Sequence, residues 1–192
     1  MVLGTSNIAE SLRGYYTKYD CSSADLNPIG GINKSDIKAF LKWSAAKMQI
    51  HVLNQVAQAT PTAELKPSAD GKPQNDEEDM GFTYDELDRI GKLRKIHKSG
   101  PVAMFRRLIF LWPHLQPQVI ADKVKSFFIY YSQNRHKSTI LPPSYHAESY
   151  GTDDNRFDLR PFLYDTSWEY QFKQIDRELL QLTQNNKNKP KL

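Results

Sequence analysis

The sequence predicts an α/β protein with a helical appendage, and two features carry that expectation. The chain opens on a short apolar run, Met1-Val2-Leu3, that reads as a strand and passes through Gly4 and Thr5 straight into a helix start. From Thr83 to Gln133, three stretches of helical periodicity follow one another with no extended run between them. That pattern adds a block of helices rather than more of an alternating sheet.

Composition narrows the classes of partner. At 192 residues, 39% hydrophobic and 25% charged, the chain suits one globular domain with enough material for a core. A net charge of +4 suits anionic ligands such as nucleotides but is too mild to argue for DNA. The aromatics fall at core spacing instead of alternating with arginines, so no nucleic-acid stacking surface is expected. The single cysteine, Cys21, excludes an intramolecular disulfide and fits a reducing, cytoplasmic setting. No run approaches the ~18 apolar residues of a membrane helix, and no membrane partner is expected. Met1–Leu3 is also too short for a secretory signal. The strand-like opening has no element before it, which suggests a piece of something longer.

The stretch Leu3–Asp20 organises the rest. Asn7 stands three residues before Glu10, a capping-box spacing that marks a helix start. Ile8, Leu12 and Tyr15 or Tyr16 recur at helical spacing, so one face packs inward. A strand, a Gly-Thr turn and a helix N-terminus make a setting where free backbone N–H groups favour anions. If the helix reached Lys18, Glu10 and Lys18 would lie on one side as a possible metal ligand and a possible anion binder. The plainer alternative is a capping Glu10 and a solvated Lys18.

Asp20–Lys34 is loop or short strand, broken by Pro28, Gly30 and Gly31. Asn33 caps a helix expected over Lys34–Gln49, with Ile37, Phe40, Leu41, Ser44 and Met48 inward and Trp43 also read as core. Lys34 in its first turn opposes the helix dipole. That placement makes sense if an anion shares the site; otherwise Lys34 is an ordinary exposed lysine. His51–Gln58 is a short helical piece or strand. Residues 57–81 form a polar loop or lid, rich in proline; Asp76–Asp79 could be a metal site but reads rather as a solvated patch, and Thr62 as a possible hydroxyl donor.

Thr83 and Glu86 repeat the capping-box spacing before a helix with Tyr84, Leu87, Ile90 and Leu93 inward. Val102–Trp112 turns Phe105, Leu108, Ile109 and Trp112 inward. Gln116–Gln133 carries Val119, Ala121, Val124, Phe127, Phe128 and Tyr131. His136-Lys137 beyond it reads as a C-cap pair or a ligand clamp. His146 and Glu148 lack the further partners that a zinc site requires. Phe157–Leu163 and a helix over Trp168–Leu182 close the domain at 1–182, leaving 183–192 as a disordered basic tail.

These strings resemble one family. GTSNIAESLRGYYTKYDCSSADLNPIGGINK, PTAEL, DEEDMGFTYDEL and NRHK…PSYHAESYGTDDNRFDLRPFLY are similar to the synthetase domain of eukaryotic glutamine-dependent NAD synthetase, over about residues 1–182. The resemblance implies the C-terminal half of a Rossmann-like adenine-nucleotide alpha-hydrolase (ATP pyrophosphatase) domain. In that family ATP adenylates the nicotinate carboxylate of deamido-NAD, pyrophosphate leaves, and ammonia from a glutaminase domain displaces AMP. Carried onto this sequence, the family's motifs place Thr5, Lys34 and Thr62 on ATP. They place Lys18, Asp25, His136 and Lys137 on deamido-NAD, and Glu10 on Mg²⁺. A homo-oligomeric full-length enzyme is implied as well.

The departures bear on activity. The family's SGGxDS pyrophosphate loop, whose aspartate is the other magnesium ligand, does not occur in this chain, nor does the glutaminase motif set. Cys21 has no base or lysine motif around it to stand in. The expectation is a chain that carries part of an active site, binds ATP weakly and makes no NAD alone. The rival reading is a non-catalytic interaction module that pairs with full-length subunits.

Overall fold

The computed structural model describes residues 1–62, 75–153 and 165–187. Among them the chain is built from helices. The first is α1, Ile8–Arg13, followed by α2, Lys34–Lys47, and α3, Val52–Gln58. Then come α4, Asp76–Met80, α5, Tyr84–Lys95, and α6, Pro101–Leu111, with α7 over Pro117–Gln133 and α8 over Glu169–Lys187. Short 3₁₀ turns occupy Cys21–Ser23 and Arg135–Ile140.

The expected sheet is not formed by the described residues. In place of a strand at Met1–Leu3, a single parallel bridge joins Leu3 to Leu26, with the Gly4 N–H donating to the Leu26 carbonyl at 2.7 Å. Thr62 and Asn75 make one antiparallel bridge. A bridge between two short extended segments is not a sheet. Strands gain their stability from several neighbours and a shared apolar face, and among the described residues neither segment has a third strand beside it.

The core is the block of helices that the periodicities predicted. Leu87, Ile90, Met104, Leu108, Ile120, Val124, Phe127 and Phe128 are fully buried. Phe127 and Phe128 meet edge to face, with ring centroids 5.2 Å apart, and Trp168 packs edge-on to Phe128 at 5.1 Å. Such arrangements suit the ring quadrupoles and add to the area buried. Ile175 of α8 completes the centre, while Arg106 and Glu178 clasp α6 to α8 by a forked pair. Ile120, fully buried, was missing from the expected inner set, and Val119 is exposed instead. One residue of helical phase separates the two.

Several expected boundaries shift. α1 stops at Arg13 because Gly14 adopts a left-handed conformation (φ 72°) and its N–H returns to the Glu10 and Ser11 carbonyls. The helix therefore never reaches Lys18, and the two-turn alignment of Glu10 with Lys18 does not form. α2 starts as expected, and Ser44 is buried and Ile37 and Leu41 half-buried as the spacing predicted, but Phe40, Trp43 and Met48 are exposed. Ala45, also buried, widens that stripe beside Ser44. The polar segment 57–81 contains α4, with Asn75 as its N-cap, and residues 63–74 lie outside the described residues. α8 runs to Lys187, past the expected start of the tail, whose last residues, 188–192, are also outside. Phe157–Leu163 falls outside too. No helix among the described residues is long and apolar enough to cross a membrane.

Candidate active site

The capping box at α1 sets the geometry. The Asn7 side-chain oxygen accepts the Ala9 and Glu10 N–H groups at 2.9 and 3.2 Å, and Glu10 Oε2 accepts the Asn7 N–H at 3.0 Å. These bonds satisfy the orphan donors of the first turn. They also hold the Glu10 carboxylate at the mouth of the helix, beside Thr5.

The second wall comes from α2. Asn33 caps it by accepting the Asp36 N–H at 2.7 Å. The Asn33 amide is itself oriented by Glu148, whose Oε1 accepts from Asn33 Nδ2 at 2.6 Å. Glu148 is buried and also receives Lys92 at 3.1 Å, which in turn pairs with Asp88. Glu148 thus serves as a brace under α2, whose first position is Lys34. Close packing helps: a Cβ on Gly31 would lie 1.9 Å from the Tyr145 carbonyl oxygen.

Thr5, Ser6, Glu10, Tyr15, Tyr16, Thr17, Asp20, Cys21, Lys34, Pro61, Thr62 and Asp76 line one cavity of about 280 Å³. The four residues expected on ATP and metal, Thr5, Glu10, Lys34 and Thr62, therefore share one hollow. Their segments are far apart in sequence and are joined by the α1 cap, the α2 cap and the Thr62–Asn75 bridge.

The four residues expected on deamido-NAD do not line that cavity. Asp25 Oδ2 accepts the Val2 N–H at 2.7 Å, and its side chain is largely exposed. Lys137 reaches back across the fold and donates to the Gly14 and Tyr16 carbonyls at 2.8 and 2.7 Å. It thus closes the loop after α1 instead of capping α7, and it passes 5.3 Å from the Tyr16 ring. His136 is half-buried; burial, followed by the charges of Lys18 and Lys137, holds its imidazole below the ordinary 6.5. Lys18 and Lys137 thereby bring two positive charges to bear on the His136 imidazole.

The sequence reading missed two members of the site. Asp76, assigned to a solvated patch, is only 6% exposed and lines the cavity. Tyr84, assigned to the core, is buried as expected, but its hydroxyl lies 3.0 Å from Glu10 Oε1 and 3.1 Å from Asp76 Oδ2. Burial pushes both carboxyls above their usual range, partly offset by the Asn7 N–H and the Lys34 charge at Glu10 and by Tyr84 and Lys34 at Asp76. The available signal was positional: Asp76 follows a capping asparagine and precedes Met80 and Phe82, both buried, so one residue of the acidic run must turn inward. Among the described residues no three metal-ligating side chains gather in one place. A cation held by Glu10 and Asp76 would take its remaining ligands from phosphate oxygens and water, the habit of Mg²⁺.

A hollow at a helix mouth, lined by hydroxyls, a lysine, the half-buried Glu10 and the buried Asp76, has the chemistry that suits a phosphate-bearing ligand. The chain belongs to the NAD synthase family, whose sequence model matches residues 1–141. It is 55% identical over 184 residues to the glutamine-dependent NAD(+) synthetase of Dictyostelium discoideum, 57% over 184 residues to that of Homo sapiens and 58% over 177 residues to that of Arabidopsis thaliana. These matches cover 92–96% of this chain but only 24–26% of the relatives. A crystal structure of a glutamine-dependent NAD(+) synthetase from Cytophaga hutchinsonii superposes with a TM-score of 0.69 at 25% identity, covering 91% of this chain and 26% of that one.

Proposed function

We propose that this chain forms the adenylate-handling part of a glutamine-dependent NAD(+) synthase. In that reaction ATP adenylates the carboxylate of deamido-NAD, and ammonia from a glutaminase domain displaces AMP to give NAD. The observation that carries the reading is the gathering of Thr5, Glu10, Lys34 and Thr62 around one cavity. The Thr5 and Thr62 hydroxyls orient ATP, and Lys34 neutralises its phosphates. Lys18, Asp25, His136 and Lys137 hold deamido-NAD on the adjoining face. Mg²⁺, where bound, offsets the charge that builds on pyrophosphate as it leaves; Glu10, fixed by its cap, and Asp76 are the residues that would hold it.

Fixed donors and charges of this kind act by positioning and by electrostatics, which is what phosphoryl and adenylyl chemistry asks of a protein. The chain holds no SGGxDS segment, so its own residues supply one side of the nucleotide site. We place the protein in the cytoplasm and, as part of a full-length enzyme, in a homo-oligomer. The test is NAD formation from deamido-NAD, ATP and ammonia by the purified chain. The expected result is none, alongside measurable ATP binding. Turnover by the chain alone would contradict the part-site reading, and absence of any ATP binding would remove the enzyme reading in favour of a non-catalytic module.

A further inference from the structure

We infer that α2 carries a self-complementary face on which a second copy of this chain docks, the two helices antiparallel. The inference rests on the homo-oligomer reading above and gives it a surface. The face is a stripe formed by Asp36, Phe40, Trp43 and Lys47. Their spacing of four, three and four residues returns to one side of a helix, as the seam of a coiled coil does. Phe40 and Trp43 are 60% and 56% exposed, and their rings stack on each other with centroids 5.9 Å apart. Asp36 and Lys47 stand exposed at the two ends of the stripe. The inward side of α2 is a different one, where Ser44 and Ala45 are buried and Ile37 and Leu41 half-buried. Nothing among the described residues covers the stripe.

The stripe reads the same from either end. Phe40 and Trp43 flank its midpoint, between Leu41 and Lys42, and Asp36 and Lys47 lie equally far beyond them. A two-fold axis through that midpoint sets Phe40 against the second copy's Trp43 and Asp36 against its Lys47, each contact made twice. An isologous interface has this property: one patch fits itself. A parallel pairing in register would instead set Asp36 on Asp36 and Lys47 on Lys47, which like-charge repulsion disfavours.

The rings supply most of the attraction. Four of them, at roughly 150–250 Å² each and a little over half open, offer a few hundred square ångströms of aromatic surface. That falls short of the ~1,600 Å² of a standard interface, so the pairing is weak and forms only at micromolar chain concentration and above. The end pairs lie in solvent and add little affinity; they set direction and register. Asp36 is steadied for that role, since its Oδ2 accepts Asn33 Nδ2 at 3.1 Å.

The test is sedimentation velocity of the purified chain from low to high micromolar concentration, with circular dichroism to establish that each variant is folded. Wild type moves from monomer toward dimer as concentration rises. Trp43→Ala raises the dimer dissociation constant at least about tenfold, as loss of a central aromatic anchor does. Asp36→Lys and Lys47→Glu, each alone, weaken self-association by setting like charges opposite each other. Mixed in equal amounts, those two variants associate again, because every end pair of the mixed dimer joins a base to an acid. Lys42→Glu, exposed but on another side of the helix, leaves self-association as in wild type.

A dimer whose affinity Trp43→Ala leaves unchanged overturns the inference, with oligomerisation standing by another face. Failure of the two charge variants to associate when mixed overturns the antiparallel pairing. A wild-type chain that stays monomeric throughout overturns the inference and leaves the stripe to a different chain. ATP titration of the same sample, which reads Lys34 and the cavity, judges the nucleotide reading separately.

Discussion

At Gly14 a single residue decides where α1 ends and so where the cavity begins. Its φ of 72° suits glycine, and a Cβ there would meet the Asn134 Cβ at 2.3 Å. Gly14→Ala is expected to cost about 1–3 kcal/mol in denaturant unfolding, from the left-handed conformation and the clash together. His136 makes a second prediction at this scale. Its folded-state pKa is held down by burial and then by Lys18 and Lys137, so the folded protein binds fewer protons there than the unfolded chain. The stability it contributes is present above its ordinary 6.5 and is lost as pH falls through the lower folded value. Its imidazole resonances should titrate below 6.5, and adding a phosphate-bearing dinucleotide should raise that midpoint by offsetting the charges of Lys18 and Lys137. A midpoint unmoved by the ligand would separate His136 from the anion site.

The helix caps were legible in the chain because their chemistry is local. Asn7 with Glu10 and Thr83 with Glu86 both form full capping boxes where the spacing put them. The inward face of α5 was legible for the same reason: Tyr84, Leu87, Ile90 and Leu93 are all buried. What could not be read locally was any feature set by a distant partner. Glu148 had no role assigned beyond a metal motif lacking its partners, and only the fold brings it 2.6 Å from Asn33, more than a hundred residues earlier. Asp76 was hidden in an acidic run whose exposure depends on how α4 sits against α1 and α5. Phe40 and Trp43, aromatic and at helical spacing, stack on each other at the surface because the inward side of α2 meets other side chains.

Two outcomes belong to the elements. Asn33→Ala should destabilise the fold by about 1 kcal/mol through loss of the α2 cap. It should also weaken anion binding through Lys34, read by ATP titration beside thermal melts. Phe127→Ala, in the aromatic centre of α7, should cost about 3–5 kcal/mol and leave no persistent fold if the domain is marginal, as circular dichroism would show.

For the whole molecule, the helical block was predicted from its periodicity and the sheet was not found among the described residues. A parallel sheet is a non-local structure, and the Leu3–Leu26 bridge alone supplies one contact of the many that a sheet needs. The chain spans about a quarter of the relatives it matches, so its cavity is read as one side of a larger nucleotide site. Family membership rests on long matched strings and the residue roles on the family's motifs, while the cavity independently brings Thr5, Glu10, Lys34 and Thr62 together.

The claim that most needs testing is that this cavity receives the negative charge of ATP. Calorimetric titration of the purified chain with ATP and Mg²⁺, comparing wild type with Lys34→Ala and with the distant surface variant Arg107→Ala, tests it most directly. The account predicts heat of binding for wild type and Arg107→Ala, and affinity at least about tenfold lower for Lys34→Ala, as befits the loss of a charge-assisted contact. Equal affinity in wild type and Lys34→Ala would contradict it.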